Sequence, residues 1–502
     1  MIVTPQEMAD AEQAAFESGI TADFLMYSAA RGIAAVVQEF HPAPGRCLVF
    51  YGRGNNGGDA LAAATLLKAI GWTIEEYPGA DIPADTPNSL PARHREALRA
   101  LHSPPPPPPG RTTVVLDGLL GIGFHGQPRE RMAEAIRLIN AFRNHRGAWV
   151  LALDVPSGLN PETGVPASEC VRADATVAIG AVKTGLVADT ATDVVGRLLC
   201  VPLPQVTLQG RDTAMPAFAE TLTRHLPPRS FDLHKGQCGR VGIVAGSTGF
   251  PGAARLCALG ALRGGAGLVT LFVEPALADV LSAACPPEVM VRAMSDLRGL
   301  LSEPLDALVM GPGAGLSRRD AFLTLIRDLP CPVVVDADAL TALAGHLALL
   351  RRANGLRLLT PHPGEMERLS PREGRSRREW ATGFAETHRT TLLLKGARTL
   401  IAAPDAPTIF NVSGNPGMAG GGMGDTLAGV CAALLAQTRP RNPENLPHLA
   451  ALAAWLCGRA AERALQTPHS APESLLASDV ANHLGSAFRD LRRDFPNEHF
   501  QI

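Results

Sequence analysis

Residues 415–429 read NPGMAGGGMGDTLAG: Gly420, Gly421, Gly422 and Gly424 lead into Asp425 and then into a long apolar stretch. Such a turn leaves bare N–H groups at a helix start, where the helix dipole adds to them and stabilises anionic charge. An ordinary helix cap needs one short polar side chain and no run of glycines. An aspartate in an anion cradle repels phosphate unless it has chemical work there. That work is to accept a hydroxyl proton as the hydroxyl attacks phosphorus. No Walker A sequence is present, so a P-loop kinase is not indicated.

Outward from this stretch, short apolar runs alternate with helical ones. Strands are expected at Arg240–Ala245 and near 267–273, 306–310, 332–336, 357–360, 391–395 and 399–403. The helices Asp425–Ala436 and Leu446–Leu465 close the pattern. Glycine-rich turns follow two of these strands, at Gly246–Gly249 and Gly311–Gly315, where backbone must approach a ligand closely. His362 stands between two prolines in TPHPGE (360–365), and Lys395 opens KGART (395–399) at a strand end. A cation flanked by glycine beside an anion cradle points to phosphate.

The first half repeats the alternation. Residues 8–39 are expected to be helical. Strands are expected at Cys47–Tyr51, Val114–Leu116, Val150–Leu153 and Ala175–Ile179, and a helix at Ala60–Ile70. This is the pattern of a parallel, doubly wound sheet. Gly52–Gly57 satisfies G-x-G-x-x-G between a strand and a helix, with Glu75 and Glu76 downstream, which leaves a Rossmann oxidoreductase open. Asp59 is open to two readings, a helix cap or a site residue. Asp117, Asp154 and Ser157 stand at strand ends and should converge with the Asn55–Asp59 loop on one crevice. Their oxygens suit a hard cation.

A chain of 502 residues exceeds one ordinary core. Breakers in 203–230 (PLPQ, MPAF, LPPRS) mark a boundary between a domain at 1–210 and one at 225–502, an α/β protein of two domains. The six prolines at 104–109 fit neither helix interior nor sheet ladder and read as a stiff loop inside the first domain. With 46 basic and 48 acidic residues, the net charge of −2 recommends neither nucleic acid nor a membrane surface. No apolar run approaches the ~18 residues of a membrane span. Nine scattered cysteines without a C-x-x-C pair, and a polar N-terminus, fit a reduced cytoplasmic protein.

In order, GNNGGD (54–59), LDGLLGIG (116–123), LDVPSGLNPETG (153–164) and AIGAVKTGL (178–186) resemble the N-terminal domain of the bifunctional NAD(P)H-hydrate repair enzymes, over nearly all of residues 1–205. The resemblance implies an epimerase that interconverts the R and S hydrates of NADH and NADPH. It implies dinucleotide contacts at Asn55, Asn56, Gly57, Gly58 and Asp59, and at Gly121, Ile122, Gly123, Phe124, His125, Gly126 and Gln127. It implies potassium at Asn56, Asp117 and Ser157. Asp154 would be the acid–base group on the hydrated ring, helped by Lys183. Leu25-Met26-Tyr27-Ser28-Ala29 departs from the Met-Glu-Asn-Ala-type stretch of the family, and Ala60 from its commoner glycine.

HKG (234–236), GSTGFPGA (246–253), GPGAG (311–315), TPHPGE, KGART and NPGMAGGGMGD together resemble the ribokinase-like ADP- or ATP-dependent NAD(P)H-hydrate dehydratases, over about residues 225–465. The implied hydrate contacts are Ala253, Gly315, His362 and Asp425. The implied nucleotide contacts are Lys395, Gly396, Ala397, Arg398, Thr399 and Gly424. Gly420 stands where the family often has Thr or Ser. Mg2+ carried with ADP or ATP is the implied cofactor, the hydrates (NADHX and NADPHX) are the partners, and a homo-oligomer is expected. A ribokinase-like vitamin or sugar kinase fused to a non-catalytic dinucleotide-binding module is the alternative; it predicts a stable phosphorylated product. A further, non-enzymatic reading makes the N-terminal half a scaffold or binding protein, which retained epimerisation by that half alone would eliminate.

Overall fold

The computed structural model describes residues 1–79, 89–105, 107, 108, 110–208 and 213–492. These fall into two compact units, one on each side of residues 209–212 in sequence. Of the expected proline loop, residues 106 and 109 lie outside the described residues; Pro104, Pro105, Pro107 and Pro108 belong to no helix or strand. Among the described residues no helix is long and apolar enough to cross a membrane.

The first unit opens with β1 (Ile2–Val3), α1 (Pro5–Glu17) and α2 (Ala22–Phe40). It continues with β2 (Arg46–Tyr51), α3 (Asn55–Ala69), β3 (Thr73–Pro78), α4 (Leu90–Ala100), β4 (Thr113–Gly118), α5 (Glu130–Arg146) and β5 (Trp149–Leu153). β6 (Ala175–Ile179), β7 (Val182–Lys183), the short α6 (Thr192–Val195) and β8 (Arg197–Val201) complete it. Six parallel strands form one sheet in the order β3-β2-β4-β5-β6-β8. β6 is buried along its whole length and β5 from Val150 onward, as strands covered on both faces must be. The chain runs from β2 outward to β3, then returns to place β4 on the other side of β2. That reversal opens a crevice at the carboxyl ends of β2 and β4.

The single helix expected over 8–39 is two helices. Gly19, at φ 97°, breaks the run, and the Thr21 hydroxyl then caps α2 by accepting from Phe24 N.

The second unit adds β9 (Ala214–Ala217), α7 (Ala219–Leu222), β10 (Arg240–Val244), α8 (Pro251–Arg263), β11 (Leu268–Val273), α9 (Pro275–Ala284) and β12 (Val289–Ala293). Next come β13 (Ala307–Met310), α10 (Arg319–Asp328), β14 (Val333–Val335), α11 (Ala337–Leu343), β15 (Arg357–Leu359), α12 (Pro363–Leu369) and α13 (Arg377–His388). β16 (Thr391–Leu394), β17 (Leu400–Ala402), β18 (Thr408–Asn411), α14 (Met423–Thr438), α15 (Leu446–Leu465) and α16 (Ala477–Arg492) finish it. Ten strands lie in the order β12-β11-β10-β13-β14-β15-β16-β17-β18-β9. The chain reverses direction across the sheet between β10 and β13, so a second crevice opens there. From Thr426 to Ala436, α14 is buried on every side and forms part of the core with α8 and α15.

One expectation fails in the boundary stretch. Residues 213–230 are not a strand-free linker, because β9 pairs with β18 and ends the second sheet. Pro216, read as a breaker, sits in that edge strand, where a missing N–H breaks no interior ladder.

Candidate active sites

In the first unit a cavity of about 930 Å³ occupies the crevice. Its wall includes Asn55, Asn56, Asp59, Gly121, Ile122, Gly123, Phe124, His125, Gln127 and Asp154. The Gly54 N-cap of α3 carries no side-chain hydrogen bond, so the first-turn N–H groups face the crevice without a competing side-chain cap. Asp59 lies one turn inside α3 and is not its cap; the helix starts at Asn55 rather than Ala60. Gly57, Gly58 and Gly126 are not on the cavity wall. A Cβ on Gly57 would lie 2.2 Å from the Gly52 carbonyl oxygen, so this glycine serves helix–strand packing.

Asn56 Nδ2 donates to Leu120 O (2.7 Å) and Leu153 O (3.0 Å), which leaves its buried Oδ1 without a donor. Fully buried Asp117 accepts from Ser157 Oγ (2.6 Å), Ser157 N (2.8 Å) and Leu119 N (3.3 Å). Burial still pushes its carboxyl up to about 6, against the pull of those hydrogen bonds. A buried carboxylate and an orphaned amide oxygen form an oxygen-rich setting that fits a hard cation.

Asp154 holds φ 63°, a strained value for a residue with a side chain. Its Oδ1 accepts from Lys183 Nζ and from Ile179 N (3.0 Å), and Lys183 Nζ also donates to Ile179 O (2.7 Å). Burial, then the charges of Asp154 and Glu12, push Asp59 well above the usual carboxylate range, with Lys183 opposing.

In the second unit the carboxyl ends of β10, β13, β15 and β16 carry the expected motifs. Gly315 N donates to Asp338 Oδ2 (2.8 Å), and Ala253 lies beside Gly313, where an added Cβ would meet the Ala253 Cβ at 2.9 Å. His362 has a structural task that the sequence did not reveal. It caps α12, its Nδ1 accepting from Gly364 N (3.0 Å) and Glu365 N (3.3 Å). Those two donors place the ring proton on Nε2, which remains able to donate to a ligand.

Lys395 N donates to Pro361 O (2.9 Å), which ties KGART to TPHPGE. Lys395 Nζ is 2.8 Å from Asp336 Oδ1 and 3.8 Å from Glu365 Oε2. Burial opposes the ammonium, but these two carboxylates outweigh it and raise the lysine above its ordinary value. A Cβ on Gly424 would lie 3.3 Å from that Nζ, so the ammonium stands over the cradle. Gly422, at φ 85°, is the N-cap of α14 and carries no side-chain cap. Burial, followed by the charge of Asp336, pushes Asp425 up to about 6; Lys395 opposes and Glu365 adds. Gly396, Ala397 and Thr399 line the β16–β17 turn; Arg398 is buried, and its carbonyl accepts from Arg377 Nη2 (3.1 Å). The sequence motifs assign no role to Asp336 or Glu365. Asp336 ends a strand in VVVDAD just as Asp117 and Asp154 end theirs, and that was the available signal.

Residues 241–483 match the family model described as NAD(P)H-hydrate dehydratase, and residues 22–185 match the YjeF-related protein N-terminus. A bifunctional NAD(P)H-hydrate repair enzyme of Moorella thermoacetica is 34% identical over 531 residues, covering 98% of this chain and 97% of that protein. Its counterpart in Gloeobacter violaceus is 34% identical, covering 91% of this chain and 94% of that protein. The Escherichia coli enzyme is 36% identical, covering 85% and 83%. Among solved structures, a Bacillus subtilis ADP/ATP-dependent NAD(P)H-hydrate dehydratase co-crystallised with ATP and Mg2+ aligns at TM-score 0.48 and 28% identity, covering 56% of this chain and all of that one. The chain belongs to the bifunctional NAD(P)H-hydrate repair enzymes, which join an NAD(P)H-hydrate epimerase to an NAD(P)H-hydrate dehydratase.

Proposed function

We propose that the second-unit crevice restores NADH or NADPH from the S hydrate by transient phosphorylation, with Asp425 as the base. The observation that carries this is Lys395 Nζ standing over Gly424, one residue from Asp425, at the uncapped start of α14. Phosphate would lie against Gly424 and Lys395–Thr399, and the hydrate against Ala253, Gly315 and His362. Asp425 takes the proton of the ring hydroxyl as its oxygen attacks the terminal phosphorus of ADP or ATP, breaking the phosphoanhydride bond and expelling AMP or ADP. The C–O bond then breaks, the ring-nitrogen lone pair forms C=N, and inorganic phosphate leaves. Loss of a proton from the adjacent carbon restores the reduced ring. Mg2+ on the nucleotide would offset the charge of the transferring phosphoryl group, and the carboxylates of Asp336 and Glu365 are the oxygen donors suited to it.

In the first unit we assign the dinucleotide to Asn55, Asn56, Asp59, Gly121–Phe124, His125 and Gln127, and potassium to Asn56, Asp117 and Ser157. Gly57 and Gly58 pack closely against Gly52 and Met26 behind the loop, and Gly126 takes the positive φ of its turn. Asp154, paired with Lys183, acts on the hydrated ring. Self-association would use Phe24 and Tyr27, both exposed on one face of α2. Nine scattered cysteines without a C-x-x-C pair favour the cytoplasm.

Product analysis tests the phosphorylation step. Supplied with S hydrate and ATP, the protein should release one inorganic phosphate per reduced nicotinamide recovered. A phosphorylated hydrate that accumulates and persists would instead make the second unit a simple kinase.

A further inference from the structure

The helix α1 brings to the first cavity a carboxylate that belongs to none of the motifs. β1 pairs with β7 in the register Val3↔Lys183, and the Thr4–Glu7 capping box starts α1 immediately afterwards. Met8, Ala11 and Ala15 are buried and seat the helix on the core. Glu12 and Phe16, four residues apart and so on one face, both reach the cavity wall. Glu12, half-buried on the cavity wall, makes no hydrogen bond or ion pair among the described residues. The charged groups around it come from three other elements: Asp59 on α3, Asp154 after β5 and Lys183 on β7. Burial, then Asp154, raise the Glu12 carboxyl above its ordinary value, with Lys183 opposing. Asp154 has its cation in Lys183, whereas Glu12 has none among the described residues.

We propose that Glu12 is a second catalytic acid–base residue of epimerisation, exchanging protons with the ring hydroxyl while Asp154 serves the opposite step. This rests on the assignment of Asp154 above. Water adds to an enamine with its oxygen on the carbon beside nitrogen, so the stereocentre is a carbinolamine. Protonated Glu12 gives its proton to the hydroxyl, the C–O bond breaks, the nitrogen lone pair forms C=N, and water departs. A second water adds to the other face, its proton passes to the Asp154 carboxylate, and the C=N electron pair returns to nitrogen. The hydrate is inverted, one water has been exchanged, and one proton has moved from Glu12 to Asp154; solvent exchange resets both groups. The reverse reaction uses the two residues in swapped roles.

The test follows conversion of R to S hydrate by the full chain without nucleotide, across pH and in isotopically labelled water. Glu12→Gln should slow conversion by about 10²-fold or more. It should reduce label entry in parallel and remove one limb of the pH profile, and Glu12→Asp should restore part of each. Dehydration of S hydrate with ATP should stay unchanged. Wild-type conversion in Glu12→Gln would overturn the proposal, as would a uniform loss at every pH with both limbs kept. Asp154→Asn run alongside separates the two assignments. If only Glu12→Gln is slow, the assignment of Asp154 falls and the paired exchange falls with it; if only Asp154→Asn is slow, the role of Glu12 falls and that of Asp154 stands.

Discussion

Asp425→Asn is expected to slow dehydration of the S hydrate by about 10³-fold, within the range that a positioned base contributes. Asparagine keeps the shape and the helix position but cannot take a proton. Affinity for ADP or ATP should be kept or should rise slightly, because the variant removes a negative charge beside the phosphate cradle. In the wild type the base must be ionised, and burial with Asp336 nearby pushes it up to about 6. Turnover should therefore be flat above that pH and fall about tenfold per unit below it. Steady-state rates with calorimetric nucleotide titration measure both effects. Full activity in the variant would remove Asp425 from the chemistry.

Asp154→Asn has the second large effect. Epimerisation should fall by about 10²–10⁴-fold toward the uncatalysed rate, while S-hydrate dehydration by the other unit continues. Asparagine tolerates the left-handed backbone at this position better than other replacements, so the turn should survive. Lys183 would lose its counter-ion while remaining buried, and unfolding of the first unit should begin earlier, since breaking a buried pair costs about 3–5 kcal/mol. Chromatographic separation of the epimers, with a thermal scan on the same sample, reads both. Unchanged epimerisation would leave Asp154 as a structural anchor for Lys183 and no more.

Particular residues explain what could be read in advance. Ala175–Ile179 and Leu446–Leu465 are expected and observed with identical ends, because each is a continuous apolar or helical-period run bounded by turn residues. The positions of Asp117 and Asp154 at strand ends and of Asp425 at a helix start were legible for the same reason, since glycine or proline beside the acid marks where each apolar run stops. Glu12 was not legible. It lies in a polar, ordinary-looking helix, and only the non-local pairing of Ile2–Val3 with Val182–Lys183 carries it to the cavity. Asp336 and Glu365 were visible as residues but not as partners, since their link to Lys395 spans 59 residues of sequence in the case of Asp336. The edge strand Ala214–Ala217 was concealed by Pro216, whose effect depends on which strand lies at the edge.

The two-site account is tested most directly by supplying separated R and S hydrates, each with ADP or ATP, and following the return of reduced-nicotinamide absorbance. The wild-type chain should recover both epimers, and Asp425→Asn should recover neither. Asp154→Asn should recover S promptly and R only as fast as it epimerises unaided. Absence of recovery from either epimer with either nucleotide would contradict the account, as would prompt recovery of R by the Asp154 variant.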